Sequence, residues 1–237
     1  MSLRLDTAVE YAAEPAGPDA PPVHHVDLVD RLLERAPEPE PAAGPGPDLV
    51  VLVYAAADTQ GHKTTASHLN RRTGGAAHSF ALTGQGAGGP FTALRVADAC
   101  ARTGRGSSSV LALVECAGAD GASVASGVLL RLDGSPGFGV AETTSVPLDR
   151  LAEACAALVP EEGRLLLVLG PGTDPGVAPA ERTDIRTTPS DSSCTAVWRL
   201  LARESESWRE QYPVVVLCAA DPATGTGHLA VLRDLDQ

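Results

Sequence analysis

Residues 80–98 read FALTGQGAGGPFTALRVAD, and the interpretation of the whole chain depends on this stretch. Its first residues end a predicted strand at His78 to Thr83. Its last residues begin a predicted helix, Pro90 to Arg102, and proline at the start of a helix is favoured. Five of the six residues from Gly84 to Gly89 are Gly or Ala, so the connection is a Gly-rich turn. The stretch therefore predicts a strand–turn–helix junction of an α/β protein.

The elements on either side of this junction are also visible as patterns. The apolar run Leu49 to Tyr54 is typical of a strand that is buried on both faces. Further strands are predicted at residues 110–114, 124–132, 165–169, 214–218 and 228–233, and helices at residues 25–36, 64–72, 148–159 and 192–203. Prolines recur through residues 170–189, for which we predict a long surface loop.

The order of these elements repeats along the chain as strand, connection, helix, strand, strand. The helix positions Leu94 and Leu200 are 106 residues apart, and so are the strand positions Leu111 and Leu217. Two similar α/β halves predict a layered fold with buried sheets and helices around them. The predicted domains are 1–47 (an N-terminal strand and helix with Pro-rich loops), 48–145 (the first half) and 146–237 (the second half).

Composition excludes several classes of function. The 237 residues include 18 basic and 30 acidic side chains, a net charge of −12, which disfavours binding to nucleic acid or an anionic membrane. We find no apolar run of the ~20 residues that cross a bilayer and no secretory leader, so we expect a cytoplasmic protein. The five cysteines contain no Cys-x-x-Cys pair, which argues against a disulfide framework or zinc site. We expect neither a metal nor a cofactor.

Four segments resemble the ketosynthases of the thiolase fold. Residues 80–98 are similar to the stretch that carries the nucleophilic Cys at the start of a central helix. Residues 107–115 resemble the strand that follows it, and residues 121–132 the strand that closes the first half. Residues 190–233 resemble the last helix, strand and Gly-rich hairpin of the second half. The resemblance implies a layered αβαβα architecture with mixed sheets.

The chain departs from this family at the nucleophile. A ketosynthase needs a thiolate at a helix N-terminus, where the helix dipole and backbone N–H groups lower the thiol pKa. In the matching segment the position falls on Gln85, Gly86 or Ala87, none of which can attack a thioester. The resemblance thus implies a vestigial nucleophile position and no catalytic residue.

The family's two other catalytic residues are also missing. Its His is expected directly after the strand 165–169, where the sequence has Gly170-Pro171-Gly172. Its Asn or second His is expected shortly before the helix at 192, where the sequence has Pro189-Ser190-Asp191. The usual condensation chemistry is therefore not expected of this chain.

One ketosynthase relative, the chain-length factor, has Gln in place of the Cys, followed by Ala-Gly-Gly. The run Gln85 to Gly89 is similar, with one extra Gly, and the chain is shorter than ordinary members. This resemblance implies a non-catalytic subunit that pairs with an active ketosynthase, or with itself, in polyketide or fatty-acyl biosynthesis, and reaches acyl carrier protein through that partner. Family members pair through the strand matched by residues 78–83. Decarboxylation assisted by Gln85 is an alternative that the sequence leaves open.

The loop residues Gly84, Gly88, Gly89 and Phe91 are then expected to line the lost pocket or the partner interface. Two alternatives remain for the same loop. It matches G-x-G-x-x-G, so a small NAD(P)-binding oxidoreductase with Glu115 on the ribose is one of them. The other is a homodimeric thiolase-fold relic that binds an acyl thioester without chemistry.

Two further candidate sites lack the pattern that their chemistry needs. His62 and His68, with Asp58 and His78 nearby, do not have a strong metal-ligand spacing. The run Ser192-Ser193-Cys194 lacks the G-x-S-x-G frame of a nucleophile elbow, so we expect Ser192 or Asp191 to act as a helix N-cap. His24 and His25 are expected to be exposed to solvent, and the charged run 203–209 to be a solvated helix end.

Overall fold

The computed structural model describes residues 3–14, 22–37, 46–56, 64–117, 124–179 and 181–234. The strands are β1 (Arg4–Ala12), β2 (Leu49–Tyr54), β3 (His78–Thr83), β4 (Ser109–Glu115), β5 (Ser126–Asp133), β6 (Phe138–Pro147), β7 (Leu165–Leu169), β8 (Thr183–Thr187), β9 (Val214–Asp221) and β10 (Thr226–Asp234). The α-helices are α1 (His25–Arg35), α2 (Thr65–Arg72), α3 (Gly89–Arg102), α4 (Leu151–Ala156) and α5 (Ala196–Gln211).

The strands form one mixed sheet in which the same order occurs twice. The sheet runs β3-β2-β4-β5-β1-β6-β10-β9-β7-β8, so β3-β2-β4-β5-β1 is mirrored by β8-β7-β9-β10-β6. In each half the second strand is parallel to both of its neighbours, and the other pairs are antiparallel. The halves meet through a short pairing of Arg4 and Leu5 with Gly139 and Phe138. The predicted duplication is therefore confirmed.

Three apolar clusters place the helices in layers. The central cluster contains residues of both halves, including Phe91 and Leu94 of α3 and Trp198 and Leu201 of α5. A second cluster joins α1 and α2 to the outer face of the first half, and a third joins α4 to the outer face of the second. Because β2 and β7 are covered on both faces, their sequences are apolar throughout. The predicted αβαβα layering is confirmed.

Two elements differ from the sequence prediction. The expected loop at 170–189 contains β8, which pairs in parallel with β7 at the edge of the sheet. The strand β6 was not predicted at all. Both strands are largely polar, because β8 has one free edge and the second half of β6 is exposed or half-exposed. An apolar pattern is therefore absent from them.

The last helix also differs, since α5 begins at Ala196 and continues to Gln211. The charged run 203–209 lies in the second half of this helix, where Arg203, Glu206 and Ser207 are exposed. Arg203 forms an ion pair with Glu10 of β1, and Trp208 is buried. The helix predicted at 148–159 is the short α4, preceded by a single 3₁₀ turn at Leu148–Arg150.

Other sequence predictions concern residues that the structure does not describe. Most of the Pro-rich stretches 14–22 and 37–47 lie outside the described residues, as do Asp58 and His62. The division into domains at 47/48 and 145/146 stays a prediction. Within the described ranges, each helix is too short or too polar to cross a membrane.

The junction of the two halves depends on Gly137, just before β6. A Cβ atom at this position would lie 2.1 Å from the backbone oxygen of Leu5. We expect Gly137→Ala to lower the free energy of unfolding by about 2 kcal/mol or more, because β1 has to move away from β6. Gly104→Ala is the control, since Gly104 has open space and only its positive φ is strained, which costs about 1 kcal/mol. Equal losses in urea unfolding of the two variants would contradict the steric account.

Candidate functional site

The Gly-rich loop connects the edge strand β3 to the start of α3. Gln85 is exposed, and the next three residues form a 3₁₀ turn in which the Gly88 N–H donates to the Gln85 oxygen at 2.8 Å. Gly84 and Gly86 have φ values of +71° and +48°, which favour glycine. The position predicted to match the nucleophile therefore holds the exposed amide of Gln85, the bare backbone of Gly86 or the half-buried methyl group of Ala87.

The two glycines that follow allow the loop to lie directly on the sheet. A Cβ atom on Gly88 would lie 2.7 Å from both Cε1 and Nε2 of His228 on β10. A Cβ atom on Gly89 would lie 2.8 Å from Cγ1 of Val53 on β2. Glycine is required at both positions by close packing of α3 against the sheets.

His228 is the polar centre of this region, and the sequence analysis did not identify it. Its Nδ1 lies 2.9 Å from the Oγ of Ser145, the residue opposite it on β6. The same Oγ accepts a hydrogen bond from Arg95 Nη1 at 2.9 Å, and Arg95 Nη2 donates to Thr92 at 3.0 Å. His228 thus connects α3, β6 and β10.

Aromatic packing and nearby charges determine the position and the pKa of the His228 ring. Phe91 is fully buried, stacks on this ring at a centroid distance of 5.6 Å and contacts Trp198 edge-on at 5.1 Å. Burial and the charge of Arg95 lower the pKa of His228, and the charge of Asp221 partly opposes them. The lowered pKa favours the neutral imidazole near pH 7 more strongly than the usual pKa of 6.5 does.

The segment predicted to match the family's His, Gly170 to Gly172, follows β7 and lies beside the end of β9. A Cβ atom on Gly170 would lie 3.4 Å from Cβ of Ala219, and the Thr173 Oγ1 accepts from the Ala220 N–H at 3.0 Å. The next residue of β9, Asp221, has its Oδ2 3.6 Å from a Cβ built on Gly86. The Gly-rich loop and the segment after β7 therefore converge on the same strand end, but neither contributes a catalytic side chain.

At the position predicted to match the family's Asn or second His, Asp191 forms an ion pair with Arg199. Nη1 of Arg199, a residue only 8% exposed, donates to both carboxylate oxygens of Asp191 at 3.2 Å. Its Nε donates to Glu10 at 3.4 Å, and Glu10 also accepts from Arg203. Asp191 is thus bound to Arg199 and its side chain does not act as the expected helix cap.

Glu115 caps the chain that leads into α5. Its carboxylate accepts from the backbone N–H groups of Ser193 at 3.0 Å and Cys194 at 2.9 Å. The expected N-cap at Ser192 or Asp191 was therefore wrong, because the negative charge comes from the other half of the molecule. Thr195 at the start of this helix bonds Ser126 of β5 instead, at 2.7 Å.

The cysteine nearest to this region, Cys194, is not activated. Cys194 is 1% exposed, and burial together with the charge of Glu115 raises the pKa of its thiol far above the usual 9.0. Cys155 and Cys218 are also buried, while Cys100 and Cys116 are partly exposed. A nucleophilic cysteine requires a thiolate, so Cys194 is not a replacement for the missing nucleophile.

Two of the other histidines that the structure describes, His25 and His68, have structural roles. His68 bonds Asp30 at 2.9 Å, and His78 is exposed at the start of β3. Within the described part of the chain, no cluster of three or more metal-ligating side chains occurs. The prediction that His25 is exposed was wrong, since it is 3% exposed and stacks on Tyr54.

Comparisons with known proteins agree with this architecture. No protein-family model and no curated protein matches the sequence. Among solved structures, 3-oxoacyl-(acyl carrier protein) synthase III from Pseudomonas aeruginosa has a TM-score of 0.69 at 12% identity, covering 99% of this chain and 98% of that one. The chain has the thiolase fold. For the Aquifex aeolicus synthase III the TM-score is 0.64 at 12% identity, covering 98% and 99%.

OleA from Xanthomonas campestris, in a structure with bound lauric acid and lauroyl-CoA, has the same thiolase fold. Its TM-score is 0.68 at 9% identity, and the match covers 98% of this chain and 99% of OleA. Identities this low establish the fold alone. The residues around Gln85, Gly170 and Asp191 therefore have to be interpreted from their own contacts.

The dinucleotide alternative finds no support in these contacts. Gly88 and Gly89 face His228 and Val53 at distances that leave no room for a pyrophosphate. The carboxylate of Glu115, expected on a ribose, accepts from the backbone before α5. The strand before the loop, β3, is at the edge of the sheet and not at its centre.

The contact between Gly88 and His228 can be tested by substitution. We expect Gly88→Ala to move the imidazole away from Ser145 and from its buried position, and so to raise its pKa toward 6.5. NMR titration of the His228 ring measures this change, with Gly104→Ala as the control. An unchanged pKa in Gly88→Ala would show that the ring does not depend on this glycine.

The lowered pKa of His228 also makes stability depend on pH. The folded state favours the neutral ring, so this contribution is complete above pH 6.5 and is lost as the pH falls toward the folded-state pKa. We expect the wild-type melting temperature to fall more steeply than that of His228→Gln below pH 6.5. Parallel curves from calorimetry at several pH values would contradict this expectation.

Proposed function

We propose that this chain is a non-catalytic ketosynthase-like subunit that pairs with an active ketosynthase in polyketide or fatty-acyl biosynthesis. One observation carries the proposal: the thiolase fold is complete, while its three expected catalytic positions hold groups that cannot condense acyl thioesters. These positions are Gln85 to Ala87, Gly170 to Gly172, and Asp191 in its ion pair with Arg199.

The chemistry of condensation explains why these replacements matter. Attack on an acyl thioester needs an activated nucleophile, and the developing oxyanion needs preorganised donors. Gly170 has no side chain, and the Asp191 carboxylate is an acceptor already bound to Arg199. A chain with these residues contributes its surface to an assembly, and the partner performs the chemistry.

The edge strand β3 offers that surface. The His78 N–H donates to the Asp48 oxygen on the β2 side at 2.9 Å. Because N–H groups alternate along a strand, those of Ser79, Ala81 and Thr83 point away from the sheet. Exposed edges are commonly blocked by charge, and β8 at the other edge carries Asp184 and Arg186, whereas β3 carries no Asp, Glu, Lys or Arg. β3 is thus suited to pair with another strand.

A groove beside β3 has the composition of an interface. Its volume is about 490 Å³, and it is lined by Asp48, Leu49, His78, Phe80, Val96, Cys100 and Arg105. Its apolar members belong to β2, β3 and α3, and its charged members, Asp48 and Arg105, precede β2 and follow α3. A mixture of apolar and polar side chains is usual in a protein–protein interface.

The charge of the chain supports an indirect route to acyl carrier protein. A net charge of −12 disfavours direct docking of an acidic carrier protein. In the proposed complex the active ketosynthase provides the basic docking surface. This chain then contributes to assembly and to the shape of the acyl pocket.

Native mass spectrometry of the tagged protein, purified from its own host, tests the pairing. We expect a 1:1 complex with a Cys-containing ketosynthase. A monomer or a homodimer alone would contradict the proposal, and the homodimer would favour the acyl-thioester-binding relic.

A substitution in β3 tests the surface. Proline is tolerated on edge strands where the N–H faces solvent, so Ala81→Pro removes an outward donor and leaves the pairing with β2 intact. We expect this variant to melt near the wild-type temperature and to lose the complex. Ala81→Ser retains the N–H and should keep it. Retention of the complex by a folded Ala81→Pro would place the interface elsewhere.

A further inference from the structure

Ser145 and His228 form a hydrogen-bonded pair that the proposed function does not use. Arg95 can only donate, so its hydrogen bond at 2.9 Å makes the Ser145 Oγ an acceptor. The hydroxyl proton of Ser145 is then available for Nδ1 of His228, also 2.9 Å away. A neutral ring that accepts at Nδ1 carries its own proton on Nε2, the atom beside Gly88.

The surroundings hold this pair in a reactive arrangement. Phe91 stacks on the imidazole and Gly88 lies against its edge, so the ring is held facing Ser145. A hydroxyl becomes a nucleophile when an adjacent base accepts its proton and a third group orients that base. Ser145 itself is exposed, so a reagent in solution can reach its Oγ.

Charges act on both members of the pair. The guanidinium of Arg95 contacts the Ser145 Oγ and stabilises negative charge that develops there during loss of the proton. Burial and the charge of Arg95 lower the pKa of His228, which leaves the ring free to accept a proton but makes it a weaker base, and the charge of Asp221 on β9 partly offsets both effects. The base, its counter-charge and the cation thus come from β10, β9 and α3.

We propose that Ser145 is a nucleophile that accepts the acyl group of an activated acyl ester or thioester. Its Oγ attacks the carbonyl carbon while its proton passes to Nδ1 of His228. The bond from the carbonyl carbon to the leaving sulfur or oxygen breaks, and the leaving group takes that proton from the ring. The products are an acyl ester on Ser145 and a free thiol or alcohol; water releases the acid in a second, slower step.

Acylation by p-nitrophenyl acetate tests this inference on the full chain. We expect release of p-nitrophenol together with an acetyl group that peptide mapping places on Ser145. Ser145→Ala removes this label, and His228→Gln, whose amide can still bond Ser145, slows labelling by about 10²-fold or more. Ser207→Ala is the matched control, since this exposed hydroxyl donates to a backbone oxygen on α5. In this variant Ser145 should be acetylated at the wild-type rate.

Labelling confined to other residues, such as the partly exposed Cys100 and Cys116, would overturn the inference. Equal rates at Ser145 in the wild-type protein and a folded His228→Gln would overturn it as well. If a variant does not fold, the position of the acetyl group in the wild-type chain still tests the inference. The result is separate from the pairing proposal, because the complex with a ketosynthase is observed without any acylating reagent.

Discussion

The structure depends on the close contact of α3 with both halves of the sheet. Phe91 and Trp198 pack against each other in the central layer, and the start of α3 lies against His228 and Val53 with only glycine between them. A side chain at Gly88 or Gly89 would separate the layers. The same constraint explains the composition of the loop, because the start of α3 can approach the sheet this closely only where Gly88 and Gly89 have no side chain.

The sequence was sufficient to predict the helices and strands that form the core. The apolar runs of β2 and β7 predicted buried strands, and the spacing of Leu94 and Leu200 predicted two similar halves. It was insufficient to predict β6 and β8, since these strands are largely exposed or half-exposed and lack an apolar pattern. Their place in the sheet is determined by pairing with β10 and β7, which are distant in sequence.

The candidate site was also predicted only in part. The absence of a nucleophile at Gln85 to Ala87 is a property of the sequence. The contacts around it could not be predicted, because they join positions that are distant in sequence, such as Glu115 with Cys194 and Ser145 with His228. The one local signal of His228 was the glycine at 88, which indicates a close neighbour without identifying it.

The central claim is that an active ketosynthase covers the outer edge of β3, and hydrogen exchange of that strand tests it most directly. The exchange of the peptide that covers residues 78–83 should be measured in the complex purified from the host and in the isolated chain. The account predicts strong additional protection of these amides in the complex. Equal exchange in the two samples, with protection at another surface, would contradict it.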